Sequence, residues 1–170
     1  LEATTQAILD AVPMAPWCGW SLGGLIALHA ASTQPGRVPA LMMLCATPKF
    51  VRSDDWPQGM PVEVFRGFAD GLREDWRGTL ERFIALEAFG SDHARDELRM
   101  LQQDLFARGE PAPHVLADGL ALLESTDLRA TLPAITVPSL WIAGRRDRLV
   151  NPQALRVCAE FAPDARYVQV

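Results

Sequence analysis

The chain has 170 residues, enough for one domain with a buried core. Hydrophobic residues make up 49 % and charged residues 22 %, an ordinary globular balance, and apolar runs such as Ala40–Ala46 are far too short to span a bilayer. A net charge of −5 argues against nucleic-acid binding, and nothing in the composition points to a membrane partner.

Residues Glu2–Val12 place apolar side chains at helical spacing and predict a short helix. Pro13 and Pro16 then force an extended path into Trp17-Cys18-Gly19. A second helix pattern runs from Leu22 to about Thr33 and is closed by Pro35-Gly36. Ala40–Cys45 is continuously apolar, as expected of a strand buried on both faces. Helix, strand, helix, strand is the alternation of a parallel sheet with crossover helices. From Val51 to about Ser125 strand-like runs vanish, and Val62–Gly71, Trp76–Phe89, Ser91–Arg108 and His114–Ser125 read as helices. Strand character returns at Ser139–Ala143, a turn follows at Gly144-Arg145-Arg146-Asp147, and Pro152–Phe161 predicts a helix with proline in its first turn. Arg166–Val170 begins a further strand. The chain therefore divides into a core segment 1–50, an all-helical insertion 51–125 and a second core segment 126–170.

Cys18, Cys45 and Cys158 are widely spaced and odd in number. Cys18 and Cys45 sit in strand-like apolar runs and are expected to be core residues, not disulfide or metal partners, a usage that fits a reducing cytoplasm. No cysteine or histidine pair has metal-ligand spacing, and no phosphate-cradling glycine loop is present, so neither metal nor cofactor is expected.

Gly19-Trp20-Ser21-Leu22-Gly23 matches G-x-S-x-G between a predicted strand and a predicted helix. In that context the serine occupies a very tight turn that lifts its hydroxyl out of the sheet, and side chains at positions 19 and 23 are expected to collide with neighbouring backbone. The helix that starts at Leu22 aims its first N–H at the reaction centre, which makes Leu22 the oxyanion donor. The plainer alternative is that Ser21 caps a helix. A serine nucleophile needs a base oriented by a carboxylate, in the order serine, acid, histidine for this architecture. Asp147, just past a strand end, is the best acid; Asp127, in a capping position, and Asp164, in a turn, are weaker. His29 lies two turns along the helix that follows Ser21, and His93 and His114 precede Asp147, so none suits the base. The base is expected beyond Val170 and a second oxyanion donor before Leu1, leaving these 170 residues short of full turnover.

Gly19–Leu25, Asp55-Trp56-Pro57, Glu81–Leu86, Asp127-Leu128-Arg129 and the Gly144–Pro152 loop together resemble the pimeloyl-acyl carrier protein methyl ester esterases of biotin synthesis. The resemblance implies an α/β-hydrolase fold with a helical cap, and hydrolysis of a methyl ester on a carrier-bound pimeloyl chain. It matches Ser21 and Asp147 to nucleophile and acid. It matches Trp20, Leu22, Phe83, Ile84, Ala85, Leu86 and Glu87 to substrate contacts, and Arg82, Arg95 and Arg99 to arginines that grip the acidic carrier of a monomeric enzyme. One family arginine falls at Gly78, beside Arg77.

Taken without the resemblance, Arg95 and Arg99 share a helix face that fits an anion clamp or a solvated face of ion pairs with Asp92 and Asp96, and Phe83 fits a core anchor. Residues 51–125 hold more acidic than basic residues, so any basic surface there is local. The competing functions are another hydrolase of this fold, such as a lactonase, C–C hydrolase or aminopeptidase, and a non-catalytic module that binds an acyl group or a protein.

Overall fold

The apolar runs assemble into one parallel sheet. The computed structural model describes residues 1–87, 94–107 and 109–170. Strands β1 (Trp17–Trp20), β2 (Leu41–Leu44), β3 (Ser139–Ala143) and β4 (Ala165–Gln169) lie in the order β1-β2-β3-β4. Trp20 pairs with Leu44, Leu44 with Ile142 and Ile142 with Val168, so the carboxyl ends of all four strands share one edge. Helix α1 (Glu2–Ala11) precedes β1, and α2 (Leu22–Thr33) makes the crossover to β2. The Arg37 guanidinium donates to the carbonyls of Leu9 and Val12, which satisfies the carboxyl end of α1.

The core lies on one face of the sheet, where Leu25, Leu28 and Ala31 of α2 meet Leu41, Met43 and the fully buried Trp141. The indole N–H of Trp141 donates to Ser139 Oγ at 3.1 Å, so this large side chain is buried without an orphaned donor. Burial on both faces was the expectation for the Ala40–Cys45 run, and the structure corrects it: Leu41 and Met43 are buried while Met42 and Leu44 are half-buried. Strand β3 alternates in the same way. Cys18 likewise points to the less covered face and is exposed, while Cys45, past the end of β2, is half-buried; of the three only Cys158 is a core residue, and all are free thiols.

The chain forms two units, residues 1–61 with 122–170, and residues 62–121. The second unit comprises α3 (Val62–Glu74), α4 (Trp76–Glu87), α5 (Ala94–Phe106) and most of α6 (Pro113–Ser125). Phe65, Ala69 and Leu72 form the buried stripe of α3 at helical spacing. Asp75 caps α4 by accepting the Gly78 N–H at 2.9 Å, and a side chain at position 78 would run into that carboxylate. Trp76 packs edge-on against Phe106, and the Arg77 guanidinium lies 4.3 Å from the centre of the same ring. The expected helix starts at Ser91 and Asp92, the end of the Trp76–Phe89 helix and His93 lie outside the described residues.

Residues 51–61 group with the sheet unit. They double back through bridges Val51–Met60 and Ser53–Trp56, and Phe50 and Trp56 enter the core. A 3-10 helix at Arg129–Ala134, absent from the sequence pattern, leads into β3; α7 (Pro152–Phe161) then crosses to β4, with the Asn151 side chain accepting the Gln153 N–H as its cap.

Candidate active site

Ser21 sits where β1 ends and α2 begins, with φ 52° and ψ −124°, a conformation that non-glycine residues rarely adopt. Its N–H donates to the Leu44 carbonyl, and its carbonyl accepts from Gly24 N at 2.9 Å. The strained turn is thereby held by the neighbouring strand on one side and by the first turn of the helix on the other. A Cβ at Gly19 would lie 2.5 Å from the Gly23 carbonyl oxygen and 2.6 Å from Gly24 Cα. The expectation that position 23 must also be bare is overturned, because a Cβ there meets nothing within 4 Å. The second obligatory glycine is Gly24, where a Cβ would strike Ala46 Cβ and lie 3.2 Å from Met43 Cε. Leu22 is the first residue of α2, so its N–H has no intrahelical acceptor one turn back, as an oxyanion donor requires. Trp20, immediately before the serine, is 52 % exposed.

Asp147 lies in the turn after β3, at the same sheet edge as Ser21 and two strands away, or about 10 Å by strand spacing. One carboxylate oxygen, Oδ1, accepts from Leu149 N at 2.9 Å and Val150 N at 2.8 Å. Those two bonds fix the side chain and leave Oδ2 as the oxygen suited to orient a base. Val170 is tied to the start of this turn: its N–H donates to the Ala143 carbonyl and its carbonyl accepts from Arg145 N.

Cys45 stands between these two groups in the edge and was missed as a special position. It has φ 43°, and its N–H donates to the Ile142 carbonyl at 2.9 Å. A cysteine ending an apolar run carries no signal for such a bend. His29 faces α1, its ring Nδ1 3.2 Å from Thr5 Oγ1, and His114 is exposed in α6. Among the described residues, no group of three His, Cys, Asp or Glu side chains could hold a metal ion.

The other two candidate aspartates lie outside the Ser21 edge: Asp164 immediately precedes β4, at the amino edge of the sheet, and Asp127 belongs to an ionic cluster. The Asp164 carbonyl accepts from Ser139 N. Asp127 joins Lys49, Asp55 and Arg129 in an ionic cluster, with Arg129 Nη2 at 2.7 Å from Asp127 Oδ2 and 2.6 Å from Asp55 Oδ2. The Arg129 hydrogen bond holds the Asp127 carboxyl well below the usual carboxylate range. Hydrogen bonds from Ser53 and then Arg129 lower that of Asp55 to about 2.

In the helical unit, Phe83 packs on Phe68 with ring centres 5.8 Å apart and Ile84 is buried, which favours an anchoring role for both; Ala85 is exposed. The side chains of Leu86, Glu87 and Arg95 lie outside the described residues. Arg82 is exposed and donates to Thr79 Oγ1 at 2.8 Å. Arg99 is exposed, and among the described residues no ion pair joins it to Asp96. Arg77, next to the bare position 78, is engaged by Glu81 as well as by the Phe106 ring.

Residues 2–170 match the model of the α/β-hydrolase fold family. The chain belongs to this family. It is similar over its whole length, at 56 % identity, to the pimeloyl-[acyl-carrier protein] methyl ester esterases of Stenotrophomonas maltophilia K279a and Xanthomonas campestris pv. campestris B100. It spans 65 % and 67 % of those two relatives, about two thirds of their length. Among solved structures, an Exiguobacterium antarcticum esterase superposes with TM-score 0.81 at 24 % identity, covering 98 % of this chain and 60 % of that one. The enol-lactonase of Burkholderia xenovorans LB400 superposes with TM-score 0.80 at 25 % identity, covering 99 % of this chain and 64 % of that one. Like other α/β hydrolases, the chain carries its strained serine at the carboxyl edge of a parallel sheet.

Proposed function

We propose that this chain is the greater part of a serine carboxylesterase that hydrolyses the methyl ester of a pimeloyl chain carried by acyl carrier protein. The observation that carries the esterase reading is the positive-φ serine between β1 and α2, sharing a sheet edge with the backbone-anchored Asp147. The substrate rests on the similarity to relatives named for that reaction.

In this mechanism Ser21 Oγ gives its proton to the base as it attacks the ester carbonyl, and the Leu22 N–H donates to the oxyanion that develops on the carbonyl oxygen. The bond to methoxide breaks, and methanol leaves with a proton delivered by the base. Water then attacks the acyl-enzyme, releasing the carboxylic acid and restoring Ser21. Asp147 holds the base in position and stabilises its charged form. That base is assigned to chain beyond Val170, because His29 is turned to α1 and a segment following β4 would start beside the Asp147 turn. Trp20, Leu22 and the 83–87 segment are assigned to the acyl chain, and Arg82, Arg95 and Arg99 to the carrier. Neither a metal nor a cofactor has a part in this scheme.

The test is active-site labelling of the full chain with a fluorophosphonate, together with turnover of methyl pimeloyl-carrier. Labelling and methanol release that both vanish in Ser21→Ala are the expected result. A folded wild-type protein that does not label would instead favour a non-catalytic acyl-binding module. Labelling without turnover of the carrier ester, but with turnover of lactones or aminoacyl anilides, would move the substrate to another class.

A further inference from the structure

The helical unit, residues 62–121, interrupts the sheet unit, so the backbone passes between the two units twice, at Pro61–Val62 and at Ala121–Leu122. The segment leading to the first passage and the segment leaving the second are remote in sequence, yet the ionic cluster of the sheet unit draws on both. Arg129, on the outgoing side, donates to Asp127 through Nε at 2.9 Å and Nη2 at 2.7 Å. It reaches Asp55, on the incoming side, through Nη2 to the carboxylate at 2.6 Å and through Nη1 to the backbone carbonyl at 3.0 Å. Lys49 closes the ring, with Nζ 3.1 Å from Asp127 Oδ2 and 3.8 Å from Asp55 Oδ1. Backbone joins the same place: Leu128 N donates to the Pro48 carbonyl at 2.9 Å.

Isolated surface ion pairs contribute little, but this arrangement differs from one in geometry and in burial. Arg129 grips Asp127 in a two-pronged fashion and shares one nitrogen between two carboxylates, which fixes both partners in direction as well as in distance. The Lys49 and Arg129 side chains are only 19 % and 24 % exposed, so salt screens them less than it would a surface pair. The Arg129 guanidinium also lies 5.3 Å from the centre of the Trp56 ring, whose indole N–H donates to the Lys49 carbonyl. Bridges Val51–Met60 and Ser53–Trp56 shape the incoming segment by itself; the Arg129 bonds to Asp55 tie it to the outgoing one.

We infer that Asp55, Asp127 and Arg129 clasp the two passages into a single stalk and thereby act as positioning residues, holding the helical unit for an acyl chain that extends beyond Ser21. The inference rests on the esterase reading above, which assigns the acyl chain to that unit, and it adds a selectivity. The clasp matters for a long acyl chain and not for an acetyl group, which ends close to Ser21. A cluster that only stabilised the sheet unit would lower the active fraction and so reduce turnover of both alike.

The experiment compares the full chain with Asp55→Asn, Arg129→Gln and the double variant on two neutral methyl esters, dimethyl pimelate and methyl acetate. Each single variant is expected to lose about fivefold in kcat/KM on dimethyl pimelate, mainly through KM, and less than about twofold on methyl acetate. The double variant should match Arg129→Gln, because the Asp55 carboxylate acts through Arg129. Equal losses on both esters, no loss on either, or losses that multiply in the double variant would overturn the clasp. Hydrogen exchange supplies a readout that needs no turnover. In Asp55→Asn the Leu128 amide, on the opposite segment, should exchange about fivefold faster while the amides of β3 keep their protection. Exchange raised equally at Leu128 and in β3 reports a general loss of stability and counts against the clasp. If the wild type hydrolyses neither ester, it is the esterase reading that fails, and exchange alone decides: faster exchange confined to Leu128 upholds the clasp, and unchanged exchange overturns it.

Discussion

A methyl group added at Gly23 enters open space, whereas one added at Gly24 runs into Ala46 and one at Gly19 meets backbone. The G-x-S-x-G pattern located the nucleophile but misplaced one of its steric constraints, because the motif records residue types and not which neighbour each would strike. Gly23→Ala is expected to leave stability unchanged or raise it by about 0.5–1 kcal/mol, since position 23 lies within α2 and alanine is the better helix former. Gly24→Ala should cost about 1–3 kcal/mol through overpacking. Thermal melts of the two variants decide this, and equal losses would count against the geometry of the turn. Asp147 allows a second test at the same scale. An asparagine there keeps an oxygen for the Leu149 and Val150 N–H groups while removing the charge. Asp147→Asn should therefore melt like the wild type yet lose about 10³–10⁴ in kcat in the full chain. A small loss of turnover would remove Asp147 from the role of acid.

Among the elements, the regular ones were legible because their signals are local: period-3.6 stripes, apolar runs, and proline at the ends. The 51–61 loop and the 3-10 helix at Arg129–Ala134 were not, because what holds them is remote. Arg129 reaches Asp55, 74 residues earlier, through both the backbone carbonyl at 3.0 Å and the carboxylate. It also stacks over Trp56, whose indole N–H donates to the Lys49 carbonyl. No window of sequence contains both halves of that arrangement. The cluster makes a pH prediction. Asp55 and Asp127 have folded-state pKa values below the ordinary carboxylate value, so their contribution to stability is fully present above about pH 5. It is lost as pH falls through about 4 toward 2, when the native carboxylates finally take up protons. Asp55→Asn/Asp127→Asn should lower stability at pH 7 and flatten its dependence between pH 5 and pH 2. Urea melts across that range give the measurement, and a variant as acid-sensitive as the wild type would show that other carboxylates govern the acid limb.

At the level of the whole molecule, charge is partitioned unevenly, and this constrains how an acidic carrier could be received. Both units contain arginines, but only the helical unit has an excess of acid, seven basic residues against twelve acidic. Long-range attraction of an acidic partner to that unit is therefore weak, and any grip must come from a few arginines at contact distance, where screening matters less. Arg82 and Arg99 are exposed on α4 and α5. At position 78 the chain has a glycine whose N–H donates to the Asp75 cap, and the neighbouring Arg77 is engaged by Glu81 and the Phe106 ring. On the proposed function, carrier recognition through the helical unit is assigned to Arg82, Arg95 and Arg99. Reversing two of them, Arg95→Glu/Arg99→Glu in the full chain, should raise KM for methyl pimeloyl-carrier by about tenfold or more while leaving kcat/KM for a small free methyl ester within about twofold. Raising ionic strength should weaken the wild type on the carrier ester and have little effect on the variant, because the salt-sensitive contacts are already gone. If the variant loses both substrates equally, those arginines support the helical unit itself; if it loses neither, the carrier is received elsewhere, with the arginine-rich turn around Asp147 the next surface to mutate.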